Sequence, residues 1–192
     1  MVFLGATFFT SGMAKLYAGH HFPGWIGPVW LIEKLQAYQL GMYAAFIALS
    51  QVITGFLLLT RRFWLLGAIG LVPMLLNILL ITISQQWGAT SYIVGVLLLM
   101  DLALLLSEYP RLRVLWADVA YSPPTTLQAK PTLPGHLLWS LGILLVISGI
   151  LVSYQALSLS YWLVAGGLLL AWLSPLADRR KTVATFLPPT PS

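Results

Sequence analysis

Four polar side chains stand inside otherwise apolar stretches of this chain: Lys15, Gln51, Asn77 and Asp101. Polar and charged groups are expensive in hydrocarbon and generally face the protein interior, a cavity or one another. Each therefore marks a place where binding or proton chemistry can be sited. Asp101 is the acidic residue within a span. Its carboxyl could accept a proton or contact a quinone, or it could form one half of a buried hydrogen bond joining two helices. Counted from the nearest basic or acidic helix end, Asp101 and Gln51 lie at similar depth, close enough for contact across helices. Asn77 follows Pro73 by one helical turn. Its amide could bond a ligand, or re-satisfy backbone groups that the proline frees. Lys15 could snorkel to the outer interface. Alternatively it is a cation at the mouth of a bundle, facing an anionic or carbonyl-bearing ligand.

Other chemistries have less support. His20 and His21 are adjacent and cannot face each other across a haem, and His136 has no partner on its own side. A metal site from His20, His21 and Glu33 can be drawn, but paired histidines suit an interface equally, and no metal is expected. The chain contains no cysteine, which excludes disulfides, thiol relays, Cys-ligated zinc and iron–sulfur clusters.

The elements that must position these residues are six apolar stretches, at about 2–17, 40–59, 63–84, 91–106, 137–157 and 161–177. Hydrophobic residues make up 59% of the 192-residue chain and charged residues 8%, against about 25% charged in soluble domains. A helix of about 20 residues crosses the hydrocarbon core. Arg61 and Arg62 follow the second stretch, Arg111 and Arg113 the fourth, and Arg179, Arg180 and Lys181 the sixth. Basic residues at helix ends stay cytoplasmic, so alternate joints are cytoplasmic and both termini are too. The net charge of +5 is explained by these joints, and no nucleic-acid partner is expected. No basic leader precedes the first stretch and no small-residue cleavage site follows, so a removable signal peptide is not expected.

Between the first two stretches lies an aromatic segment, 18–39. Nothing in the composition of 29–59 forbids one continuous helix, about 46 Å long. Its first part is expected to project or lie at the outer surface, with Trp30 and Tyr38 in the interface and Glu33 and Lys34 in water. Trp87, Tyr92, Tyr109, Trp116, Tyr154, Tyr161 and Trp162 mark the other borders. Pro73 is expected to interrupt the third helix, and Pro175 falls near the end of the sixth. Segment 108–135 is too polar to span and is read as a cytoplasmic loop, and 179–192 as a disordered cytoplasmic tail. Gly5 and Gly12 share a face of the first helix and would admit a close neighbour. Gly142, Gly149, Gly167 and Ala171 suit close packing within the last pair, or against a partner protein.

The first helix reads Phe8-Phe9-Thr10-Ser11-Gly12-Met13-Ala14-Lys15-Leu16. The second carries Gln51-Val52-Ile53-Thr54-Gly55-Phe56-Leu57-Leu58-Leu59 before Arg61-Arg62, and the third Pro73-Met74-Leu75-Leu76-Asn77. Over about residues 3–107 this resembles the DoxX-like family of small bacterial membrane proteins, which shows G-x-x-K-[LF], then E-x-x-x-G-x-L-L-L, a basic turn and a polar residue in helix three. Here Gln51 replaces the family's helix-two glutamate, which leaves any ionic role at that position open. The last two helices are additional to the four-helix unit. The resemblance implies a link to membrane redox chemistry, since one branch includes a subunit of a thiosulfate:quinone oxidoreductase.

The expectation is an all-α integral membrane fold of six transmembrane helices. A four-helix DoxX-like bundle (1–107) is followed by a transmembrane hairpin (136–178), with both termini on the cytoplasmic side of a bacterial plasma membrane. Lys15, Gln51, Asn77 and Asp101 would line a site for a quinone-like or lipid-like ligand. The chain is not expected to be an enzyme on its own, and other membrane proteins are expected partners beside the bilayer. The alternative is a non-catalytic scaffold, accessory subunit or assembly factor. A solute transporter is disfavoured by the lack of matched broken helices in two halves.

Overall fold

The computed structural model describes residues 1–27, 29–112 and 132–182. All its regular structure is helical: α1 Val2–Leu16, a 3-10 turn Ala18–His20, α2 Trp30–Ala37, α3 Gly41–Thr60, α4 Trp64–Ser84, α5 Gly88–Ser107, the single turn α6 Tyr109–Leu112, α7 Leu133–Val152 and α8 Leu157–Thr182. Five of these, α3, α4, α5, α7 and α8, are long and apolar enough to cross a membrane. The described residues are thus those of an all-helical, multi-pass membrane protein. The first apolar stretch is shorter than the other five. The 15 residues of α1 extend only about 22 Å at a rise of about 1.5 Å per residue.

The uninterrupted helix expected over 29–59 does not form. It breaks at Tyr38–Leu40, where Gln39 takes a left-handed backbone (φ 60°). Leu40 N–H donates back to Leu35 O and Gln39 N–H to Gln36 O, both at 2.9 Å. These two bonds form the motif that ordinarily closes a helix with glycine at the left-handed position. Glutamine there gives no compositional signal, so the stop could not be read from the residues. The same closure ends α4, with Gln86 left-handed (φ 54°), Trp87 N–H on Thr82 O and Gln86 N–H on Ile83 O. Pro73 does not interrupt its helix: α4 runs through it, with the proline on the exposed face. Pro175 likewise lies inside α8, which continues past the expected end at Ala177.

The chain divides into two compact units, Met1–Ser122 and Pro123–Ser192. In the first, α1 packs on α3, α3 on α4 and α4 on α5. Glycines make the α1–α3 contact close. A Cβ on Gly5 would touch Leu58 and Leu59, one on Gly12 would meet Ala48 O and Val52, and one on Gly55 would collide with the backbone of Phe9. The partner numbers fall along α3 as they rise along α1, so the two helices are antiparallel and side by side. Lipid offers no hydrophobic drive to helix association, so this close approach is the main source of attraction between them. Leu4, Phe8, Leu58, Leu71, Leu75, Leu97 and their neighbours fill the core. α5 fully buries only Val94, Leu97, Leu98 and Asp101, with Leu104 and Leu105 partly buried against the core.

In the second unit α7 and α8 form an antiparallel hairpin. The backbones of Gly142 and Gly167 face each other, and Gly149 abuts Ser160 and Val164. The glycine faces of this pair are thus used within the chain. The helix ends are tied where Asp178 Oδ1 accepts from Thr132 N–H (2.8 Å) and Thr132 Oγ1 (2.7 Å). Most of the expected cytoplasmic loop and most of the expected tail, residues 113–131 and 183–192, lie outside the described residues.

Candidate functional site: a cavity beside a buried lysine

Lys15 stands one residue before the end of α1 yet is 6% exposed, so it does not snorkel to the interface. Its side chain turns back along its own helix, the direction helical side chains favour. Nζ donates to Ser11 Oγ at 2.6 Å and to Gln51 Oε1 at 2.9 Å. Gln51 is itself 4% exposed and lies midway along α3. The antiparallel register of α1 and α3 produces this meeting. Lys15 is level with the first half of α3, and its flexible stem brings the ammonium to the helix centre.

The ammonium borders a cavity of about 100 Å³. Thr7, Ser11 and Lys15 form its polar wall from α1, spaced by four so that they share one helix face. Leu75 and Ile78 of α4 and Val94 and Leu97 of α5 give the apolar wall. Thr82, Trp87 and Thr90 close the end toward the α4–α5 turn. Ile26 and Gly27 lie over the lysine. Gly27 has φ 114°, and a Cβ there would collide with Ser11 Oγ and stand 3.3 Å from Lys15 Nζ. Only glycine combines that backbone with that approach. Outside the cavity, Lys34 of α2 lies 4.7 Å from the Trp30 ring centroid and 5.6 Å from that of Trp87, and the two indoles meet edge-on at 5.0 Å. This stack fastens α2 to the α4–α5 turn beside the cavity.

Of the four residues expected to line one pocket, the structure brings two together. Lys15 and Gln51 are bonded and line the cavity. Asp101 is fully buried but is not part of the lining, and the expected contact with Gln51 is not made. α5 packs on α4 rather than on α3, so equal depth does not bring the two side chains within reach. Neither carboxyl oxygen has a hydrogen-bond partner among the described residues, so Asp101 does not tie two of the described helices together. Asn77 is exposed on the outward face of α4 with Pro73 and Leu80 and is absent from the cavity.

His20 Nδ1 pairs with Ala14 O at 2.9 Å and His21 Nδ1 with Gly19 O at 2.8 Å, which ties both rings to local backbone. Among the described residues no group of three or more His, Cys, Asp or Glu gathers as metal ligands do. Sequence reasoning missed Thr7, Ser11, Gly27 and Trp87. The i, i+4, i+8 run Thr7–Ser11–Lys15 was the available signal for the first two. Gly27 and Trp87 reach the site through backbone geometry that no local pattern announces.

The cavity is electrically unbalanced. Its lining holds one cation and no acidic side chain. Thr7 Oγ1 is buried with no hydrogen-bond partner among the described residues. The site therefore presents an ammonium and an unfilled hydroxyl on one helix face, across from the aliphatic wall of α4 and α5. Comparison of the chain with family models, curated proteins and solved structures gives no match.

Proposed function

We propose that this protein is a ligand-binding protein of the bacterial plasma membrane. It holds a quinone-like or lipid-like molecule in the cavity beside α1, with an oxygen-bearing head group at Lys15. One observation carries the reading: the Lys15 ammonium is held beside the middle of α3 by two neutral oxygens, at a cavity whose lining holds no counter-charge. A buried ion without a partner is costly, and an acceptor-bearing ligand relieves that cost. The DoxX-like resemblance of 3–107 supplies the context of a membrane redox system. The lysine and the Gly55 segment belong to that resemblance, while Gln51 in place of glutamate makes the lysine's partner neutral. With no cysteine in the chain, redox chemistry of the ligand would draw its electrons from a partner protein, and the chain acts as a binding subunit.

The topology that accompanies this reading has six crossings and cytoplasmic termini, with α1 as a short first crossing. Support comes from the Arg-bearing joints and from α1 running alongside α3 from Leu59 to Ala48. The scaffold alternative has less support, since Gly142, Gly149 and Gly167 are occupied inside the α7–α8 hairpin.

The test is purification in a mild detergent, followed by solvent extraction and mass spectrometry of co-purifying small molecules. A quinone or lipid retained stoichiometrically by wild type and lost from Lys15→Met is the expected result. An empty protein accompanied by a stoichiometric protein partner would refute the ligand reading in favour of a scaffold.

A further inference from the structure

The chemistry of the head group can be narrowed, on the reading that the cavity holds a ligand. The ammonium has three N–H donors, and two are engaged by Ser11 and Gln51. Both partners are neutral, so the positive charge persists after they are satisfied. The second unfilled donor, Thr7 Oγ1, belongs to a residue that is 1% exposed and has no partner. It stands one turn below Ser11 on the same face, about 6 Å along the axis, while Lys15 Nζ sits against Ser11 Oγ. One small group with two acceptor oxygens can therefore take both donors at once.

One unbalanced cation calls for one negative charge, and hydrogen bonds between ionised partners are roughly twice as strong as neutral ones. The cavity is small, about 100 Å³, and a carboxylate with the first few carbons of its chain is the most compact monoanionic group that suits it. The wall opposite is aliphatic, from Leu75, Ile78, Val94 and Leu97. We infer that the ligand is a monoanionic amphiphile, a long-chain carboxylic acid, whose carboxylate docks between Lys15 Nζ and Thr7 Oγ1 with its first methylenes against that wall.

The experiment is equilibrium binding of three radiolabelled probes to the full-length protein in non-ionic detergent, at a pH where the acid is ionised: oleate, oleyl alcohol and decylubiquinone. Oleate is expected to bind at least about tenfold tighter than the alcohol of the same chain, the ratio appropriate to one charge-assisted hydrogen bond. Thr7→Val should weaken oleate several-fold and leave the alcohol unchanged. Lys15→Met should abolish the difference between the two. The wild-type ratio and Thr7→Val keep the test decisive if Lys15→Met fails to fold. The alcohol or decylubiquinone binding as tightly as oleate would overturn the anionic class while leaving the cavity a ligand site. Failure of all three probes to bind would count against the ligand reading itself.

Discussion

The Lys15 ammonium and the Gln51 side-chain oxygen are 2.9 Å apart, joining the end of α1 to the middle of α3. Neither residue is more than 6% exposed. A cation at the end of a short apolar helix has an easy route to the interface, and this one instead turns inward. The bond thereby places a positive charge where the bundle is otherwise apolar, and it does so beside a cavity.

The two ends of that bond should respond unequally to substitution. Gln51→Leu leaves the ammonium buried with one acceptor fewer and should cost about 1–3 kcal/mol. Lys15→Met removes the charge and fills similar volume, and should be neutral or stabilising. Thermal unfolding of the ligand-free protein in detergent distinguishes them. A larger loss for Lys15→Met than for Gln51→Leu would mean that the bond is a structural tie first.

Asp101 offers a comparable contrast. Its carboxyl is buried with neither oxygen bonded among the described residues, so Asp101→Leu should hold or raise the unfolding temperature. Asp101→Asn should change it little. A drop of about 3 kcal/mol or more on Asp101→Leu, the size expected when a buried pair is broken, would show that the carboxyl has a partner holding α5 in place.

The α1–α3 contact should be intolerant of a single methyl group. Gly55→Ala sets a Cβ against the Phe9 backbone, which cannot move as a side chain tip could. A loss of about 1–3 kcal/mol is expected. Gly95→Ala is the control, because nothing lies within 4 Å of that position. Removing a helical glycine there should stabilise by up to about 1 kcal/mol. Denaturation of both variants in the same detergent makes the comparison, and equal effects would contradict the close packing of α1 on α3.

In the second unit, Asp178→Ala removes the acceptor for both Thr132 donors. The first turn of α7 should then exchange its amide hydrogens faster, with a stability loss of about 1 kcal/mol. Asp178→Asn, which keeps an oxygen acceptor, should lose less. Hydrogen-exchange mass spectrometry of residues 132–137 reads the effect directly.

Composition and charge placement alone established the helical membrane class, because an apolar run long enough to cross hydrocarbon can be counted without knowing its neighbours. The glycine spacing on α1 and on the last two helices was legible for a similar reason: small residues one or two turns apart define a face that must meet another backbone. Positions of helix ends were less legible. Gln39 and Gln86 close their helices in the left-handed conformation usually given to glycine, and nothing in their side chains says so.

The site divides in the same way. Lys15, Gln51, Asn77 and Asp101 stand out from the sequence as polar groups in apolar surroundings, and depth along each helix can be estimated from the nearest charged joint. Depth is one coordinate of three. Which helices adjoin, and which face each presents, arises from packing between segments far apart in the chain. Packing set α1 against α3 and α5 against α4. That arrangement joined Lys15 to Gln51, left Asp101 alone in the core, turned Asn77 outward, and brought Thr7, Gly27 and Trp87 to a cavity that no single stretch of residues encodes.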